Sequence, residues 1–293
     1  MLSNFQSITL EEMDNVKLME RTDTKYLLKS AMIPSILNEL ADDYLVLEVE
    51  GQRASRYESL YFDTEDFQLY LMHHNGRVNR HKIRSRKYVE SNLNYFEIKT
   101  KNNKYRTIKQ RIRLLEINSM LSELEATFLA GKINLKASDL VPVLWSNCSR
   151  ITLVSKHAKE RVTIDVKVNF KSVVRIANPY QQGGAVRIAN PYQKGGANPY
   201  QQEDFKSAEK EVNLSMIAIA EVKREKQVRR TPDSLGGASP FISLMKKRSI
   251  RENSISKYCL GVLLLFDNVK RNTFKHSLTI INKLSDGAIS HIF

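Results

Sequence analysis

The stretch Val78–Val89, VNRHKIRSRKYV, decides how this chain is read. Alternate residues of an extended strand point to opposite faces, so Arg80, Lys82, Arg84, Arg86 and Tyr88 share one face, away from His81, Ile83 and Ser85. Working outward, Leu93–Lys101 sets Glu97, Lys99 and Lys101 against Phe96 and Ile98, and Thr107–Leu115 sets Lys109, Arg111 and Arg113 against Ile108, Ile112 and Leu114. The alternation returns in Arg161–Phe170, where Arg161, Thr163, Asp165 and Lys167 oppose Val162, Ile164, Val166 and Val168. It returns again in Met216–Glu225, with Glu221, Lys223 and Glu225 against Ala220 and Val222, and in Arg21–Leu28, with Arg21, Asp23 and Lys25 on one face.

Half-buried antiparallel strands with a solvated polar face are the ordinary explanation for one such strand. Solvated faces normally mix charge signs, because like charges directly opposite each other across a sheet are destabilising. Between Arg80 and Arg113 twelve Lys and Arg stand against Glu90 and Glu97, so ten of the chain's +14 lie in that stretch. Such faces hold together best around an anion. The expected fold is α+β: an antiparallel closed β-barrel with cationic faces inward and apolar faces covered by outer helices at 34–42, 65–74, 119–130 and 240–251. A barrel of about eight strands leaves room for a ligand. Tyr44–Val49, Arg56–Asp63 and Ser149–Ser155 complete the strands. Thr64 and Ser119 are the expected caps of the helices that follow them, and 256–266 and 273–284 read as helical by apolar spacing. The expected organisation is a tunnel domain over 1–267 and a C-terminal helical tail over 268–293.

With 293 residues, 42% of them hydrophobic, the chain is no disordered basic tail. Its longest apolar run, Cys259–Phe266, falls short of the roughly 18–20 residues of a membrane span, and Met1–Leu10 lacks a basic, apolar leader pattern. Cys148 and Cys259 have no metal-ligand spacing, so the expectation is a cytoplasmic protein without structural zinc or disulfides. Val174–Ala185 and Val186–Ala197 are tandem copies differing only at Gln182 and Lys194, with a truncated third copy at Asn198–Gln202. Their Asn-Pro and Gly-Gly pairs mark turns, and 174–202 is expected as a loop insertion.

Alternating Arg and Lys suit a linear polyanion: guanidinium forks match phosphate oxygens and ammonium groups act as point charges. No Gly-rich phosphate loop is present, so side chains would do the holding. The inward carboxylates Glu97 and Glu221 are candidate ligands of a divalent metal, Mn²⁺ or Mg²⁺; Asp165 is either a third or a partner of Arg161. Sequence-tolerant nucleic-acid binding is the rival for a basic chain, and no specific nucleic acid is expected as partner. Stacking aromatics are sparse among the cations, however, and no helix-turn-helix or zinc-finger spacing appears. His73 and His74 read as favourable charges at a helix C-terminus, and Trp145 as a core residue.

Nine segments, in order, resemble the VTC domain of polyphosphate polymerases, within the CYTH-like triphosphate tunnel metalloenzymes. They are ERTDTKY (Glu20–Tyr26), RYESLYFDT (Arg56–Thr64), HHNGRVNRHKIRSRKY (His73–Tyr88), YFEIKTK (Tyr95–Lys101), KQR (Lys109–Arg111), RITL (Arg150–Leu153), RVTIDVKVNF (Arg161–Phe170), IAEVK (Ile219–Lys223) and SKYCLG (Ser256–Gly261). The resemblance implies an antiparallel tunnel in which Lys25, Arg84, Arg86, Lys99, Lys109, Arg150, Arg161 and Lys257 bind phosphates, with Glu221 on the metal. Facing and spacing add Arg21, Lys82, Arg111 and Lys223, and Ser256 falls in the last matching segment. It further implies transfer of the γ-phosphate of ATP onto inorganic polyphosphate or pyrophosphate, by a chain that has no membrane span of its own and works beside a membrane-protein partner. A tunnel triphosphatase and a non-catalytic polyphosphate- or nucleic-acid-binding module are the alternatives. One departure stands out: where the family often has a second basic residue before the terminal Lys, this chain has Ser254, and Lys246, Lys247 or Arg248 would have to compensate.

Overall fold

A computed structural model describes residues 2–15, 21–104, 106–173, 210–225 and 238–289. The tandem repeat lies outside the described residues. Among the described residues eleven strands form one sheet: β1 (Ser7–Ile8), β2 (Arg21–Lys29), β3 (Tyr44–Leu47), β4 (Ser55–Asp63), β5 (Arg80–Tyr88), β6 (Leu93–Lys101), β7 (Thr107–Leu114), β8 (Val141–Ser155), β9 (Glu160–Ser172), β10 (Glu211–Leu214) and β11 (Ile217–Glu225). The main path runs β2-β11-β9-β8-β4-β5-β6-β7 and every ladder in it is antiparallel. Among the described residues no ladder joins β2 to β7, yet residues of both line one cavity, so the sheet curls into a half-barrel.

The apolar parity of the strands faces outward and is covered by helices. Tyr26, Leu28, Ile151, Leu153, Val162, Ile164 and Val222 pack under α2 (Ile33–Leu40) and α5 (Pro240–Lys247). Leu60, Phe62, Ile83, Phe96, Ile98 and Trp145 pack with Leu129 of α4 (Glu123–Leu129). Each such aliphatic or aromatic side chain contributes about 1.5–3 kcal/mol by leaving water. These contacts fix which parity faces inward.

Local signals place most elements, with three corrections. The α4 cap is Ser122, not Ser119: Ser122 and Glu125 form a reciprocal capping box. The helix expected from Glu65 is α3 (Gln68–His74), because Asp63, fully buried, accepts the Leu69 and Tyr70 N–H groups at 2.8 and 2.9 Å and thereby sets its first turn. The strand expected from Ser149 begins at Val141; Pro142 sits beside its first residue, where a missing ladder donor is tolerated. Beyond these, α1 (Leu10–Asn15) precedes β2, and α6 (Lys257–Leu265) and α7 (Lys275–Leu284) end the fold. Among the described residues no helix is long and apolar enough to cross a membrane.

Unlike α2, α4 and α5, helix α6 packs on the concave side of the sheet. Its residues Tyr258–Leu265 meet Leu27, Tyr61, Leu144, Val168, Phe170 and Ile219. Leu27 and Ile219 share the parity of Lys25 and Glu221, so one inner face is cationic at one end and apolar at the other. A bulge in β9 makes this possible. Lys167 takes a left-handed φ of +52° where the β8–β9 register slips, which turns Val168 and Phe170 inward toward α6 and leaves Lys167 exposed. The expected grouping of Lys167 with Asp165 fails for that reason. Close approach also explains Gly261: a Cβ there would lie 2.8 Å from Phe170 Cδ1 and 3.0 Å from Leu144 Cδ2. Gly261→Val is expected to lower stability by about 1–3 kcal/mol through overpacking, read as a lower urea midpoint at unchanged m-value.

A cationic cavity as the candidate active site

Register assembles the site row by row. Lys25 of β2 lies opposite Glu221 of β11, which lies opposite Thr163 of β9. One row away, Asp23, Lys223 and Arg161 are aligned. On the other half of the sheet Tyr61, Arg84, Glu97 and Arg111 form a row across β4–β7, flanked by Lys82, Lys99 and Lys109. Curling brings the halves together: Lys99 of β6 feels both Glu97 on its own strand and Glu221 on β11.

Three carboxylates anchor the interior. Glu97 is fully buried; Arg84 donates from Nε and Nη2 to its Oε2 at 2.8 and 2.6 Å, and Lys109 Nζ lies 2.5 Å from Oε1. Asp165 accepts from Arg150 Nε at 2.6 Å and Nη2 at 2.9 Å, and its Oδ2 is 2.7 Å from Lys257 Nζ. Asp165 therefore pairs with Arg150, its register neighbour, and not with Arg161. Glu221 is paired with Lys223 and more loosely with Lys25, at 3.9 Å. Burial pushes all three carboxyls up. The adjoining cations outweigh it, so each ends below the carboxylate range, Glu221 at about 2. The Tyr57 ring lies between the Arg86 and Arg150 guanidiniums, 5.2 and 5.0 Å from its centroid, and spaces the two charges. Arg86 Nε donates to Ser59 Oγ at 2.9 Å.

Beside this paired network lies a cavity of about 1540 Å³ where cations predominate. Arg21 and Lys25 line it from β2, Arg80 and Lys82 from β5, Lys99 and Lys101 from β6, and Lys104 and Arg106 from the β6–β7 connection. Burial, then the charges of Lys25, Arg80 and Arg84, push the Lys82 ammonium down to about 8. Arg84, then burial and Arg86, hold Lys99 well below the usual ammonium range despite Glu97 and Glu221. These groups gain from an added anion. Arg80, Lys101, Lys104 and Arg106 were legible as charge but were not singled out as site residues, and the cavity adds His73.

Other expected site residues occupy different settings. Arg161 Nη1 lies 3.7 Å from Met13 Sδ, and Met13 packs with Ile8, Leu47 and Val154. Arg111 stacks on the Tyr95 ring at 4.3 Å. The Ser256 hydroxyl accepts from Cys259 N–H and caps α6, aiming the helix start and Lys257 at Asp165. Lys257 Nζ also lies 2.9 Å from Cys148 Sγ. Ser254 itself lines the cavity, while Lys247 and Arg248 pair with Glu39 of α2, so those two do not stand in for it.

The two expected metal ligands separate. Both Glu97 oxygens face cations and its side chain has 0% exposure, so it fits a counter-ion and not a metal ligand. The Glu221 side chain keeps 23% exposure, and among the described residues its Oε1 has only the distant Lys25. That one hard oxygen donor suits a divalent metal whose other ligands are phosphate oxygens and water. Among the described residues no group of three His, Cys, Asp or Glu forms an all-protein metal cage.

A curled antiparallel sheet with a cationic concave face and an outer helical layer is the architecture of a triphosphate tunnel fold. The VTC domain model matches residues 20–266, and the chain belongs to the VTC domain family. No curated protein matches it. Among solved structures, a proposed adenylate cyclase from Vibrio parahaemolyticus is 10% identical, with a TM-score of 0.41 over 83% of this chain and 99% of that one. One from Bacillus halodurans is 13% identical, with a TM-score of 0.42 over 82% and 96%. A proposed adenylyl cyclase from Hippeastrum, described as having a dominant triphosphatase activity, is 11% identical, with a TM-score of 0.44 over 83% and 95%.

Proposed function

We propose that this chain is a polyphosphate polymerase that moves the γ-phosphate of ATP onto a growing inorganic polyphosphate chain in its basic cavity. The observation that carries the reading is the excess of half-buried cations there, above all Lys82 and Lys99, whose ammonium groups are disfavoured by burial and by neighbouring cations. Lys25, Lys82 and Lys99, with Arg80 and Lys101 toward the mouth, would line up along the phosphates. Arg84, Arg86, Lys109 and Arg150, fixed by Glu97, Ser59 and Asp165, would supply the positive interior that stabilises charge on the transferring group. Glu221 would hold a divalent metal, Mn²⁺ or Mg²⁺, and such an ion supplies charge neutralisation on phosphate oxygens.

The three ion-paired carboxylates of the interior favour polymerase over hydrolase. Water as nucleophile benefits from a general base with a pKa near the working pH. Glu97, Asp165 and Glu221 are all held below the ordinary carboxylate range by paired cations, which makes them poor bases. The terminal phosphate of an acceptor chain is ionised at neutral pH and requires no base. Incubation with ATP and Mn²⁺, followed by electrophoresis of the products, is expected to show long phosphate polymers. Free phosphate without polymer would establish the hydrolase, and an ATP pool left intact would leave only a binding module.

A further inference from the structure

Two adjacent histidines end α3, and the fold treats them differently. His74 is buried: its Nδ1 lies 2.9 Å from Asn75 Oδ1, and its Nε2 accepts the Thr273 N–H at 3.4 Å, tying α3 to the start of the C-terminal helical segment. His73 instead lines the cavity, near Lys25 of β2 and Arg80 and Lys82 of β5. A cap interacting with the helix dipole explains His74 no better than its hydrogen bonds do, and leaves His73 without a role. Lys99 and Lys101 of β6, Glu252 beside β2 and His276 of α7 face the same space.

Burial, then Lys82, Arg80 and Lys25, push His73 down to about 2 in the ligand-free protein. Its ring is therefore neutral at any ordinary pH, with its N–H turned to its own backbone carbonyl and its other nitrogen able to take a proton and then donate it to a phosphate oxygen. A phosphate chain seated among those three cations reverses the field at the ring: repulsion by fixed positive charge gives way to attraction by phosphate oxygens, and an opposite charge nearby favours the protonated form. We infer that His73 is a further substrate-binding residue, which hydrogen-bonds a phosphate oxygen and takes up a proton as the chain enters. This rests on the phosphate-chain reading of the cavity. Polyanion binding is then proton-linked, and it tightens as pH falls through the range where the bound imidazole titrates.

The test titrates inorganic triphosphate into the full chain by calorimetry, with a chelator present, in two buffers of different ionisation heat at pH 6 and pH 8. Lys82 and Lys99 also take up protons, so wild type is compared with H73Q, which keeps both. Wild type is expected to take up about one proton more than H73Q at pH 6. H73Q is expected to bind about tenfold more weakly at pH 6 and close to wild type at pH 8, one pKa unit of linkage being worth a factor of ten. H157Q, in the β8–β9 turn beside Asp43, serves as the control. Independently of any variant, the ring nitrogens of ¹⁵N-labelled His73 are expected to move from neutral to imidazolium shifts when triphosphate is added to wild type at pH 6. Equal proton uptake and affinity in wild type and H73Q, with a ring that stays neutral, would overturn the role of His73 and leave the polymerase reading standing. Failure of wild type to bind triphosphate would overturn both.

Discussion

Lys99→Met is expected to reduce polymer formation from ATP by about 10²- to 10³-fold, the usual loss when one preorganised charge is removed from a transition-state clamp, while making the ligand-free protein more stable. The two effects share one cause. Lys99 stands between Arg84, Arg86 and Lys109 on neighbouring strands, and its ammonium is disfavoured first by Arg84 and then by burial. With no phosphate present this is a cost to the fold, which Glu97 and Glu221 offset only in part. Replacing the ammonium by a thioether of similar length removes like-charge repulsion and keeps the packing, for a gain of about 1 kcal/mol. The pH dependence gives an independent sign. Lys82 and Lys99 have folded pKa values below their unfolded ones, so between those values the unfolded chain binds more protons, and stability rises as pH increases through that window. In Lys99→Met this alkaline rise shrinks. Denaturant melts at pH 7.5 and 9.5, set beside a polymerase assay, read both quantities. Undiminished polymer synthesis would remove Lys99 from the catalytic set, and a clear fall in stability would show that its charge is compensated in the free protein.

The concave cationic face was legible because it depends only on parity. Any register that buries Phe96 and Ile98 presents Glu97, Lys99 and Lys101 together on the other side. Family membership followed from segments in order, with the matched model beginning at Glu20, as the quoted motifs do. What parity does not supply is which residues of neighbouring strands meet. Asp165 looked ready to pair with Arg161, four residues away on its own strand, and the β8–β9 register sets it opposite Arg150 instead. Parity also fails where the backbone departs from extended geometry: one left-handed residue, Lys167, moves Val168 and Phe170 to the inner face. Glu97 and Glu221 are indistinguishable as letters and each lies one strand in from an edge of the sheet; they differ because cations from both neighbouring strands, Arg84 and Lys109, close on the two Glu97 oxygens, while Glu221 Oε1 has Lys25 at 3.9 Å. His73 and His74 differ by the roughly 100° that separates adjacent residues on a helix, which turns one toward Thr273 and the other toward the cavity.

Asp165→Asn is expected to cost about 3–5 kcal/mol of stability, the range found when one partner of a buried ion pair is removed and its counter-charge is left behind. Here two counter-charges are left: the Arg150 guanidinium, bound through both Nε and Nη2, and the Lys257 ammonium at the start of α6. For a chain of this size the loss corresponds to a fall in melting temperature on the order of 10 °C. It also links the site to the fold, because Lys257 opens the helix whose next residues fill the apolar half of the concave face. The acid limb of the stability curve supplies the sign. Burial raises the Asp165 carboxyl, but Arg150 and Lys257 outweigh it and the net pKa lies below that of the unfolded chain. Its contribution is therefore present above the unfolded value of about 4 and is lost as pH falls below it. Asp165→Asn should flatten that limb and lower the plateau at pH 7, and adding Lys257→Met should restore part of the plateau by removing one stranded cation. A single variant that melts within about 1 kcal/mol of wild type would mean that solvent or a bound anion already neutralises Arg150 and Lys257, and that the triad does not hold α6 in place.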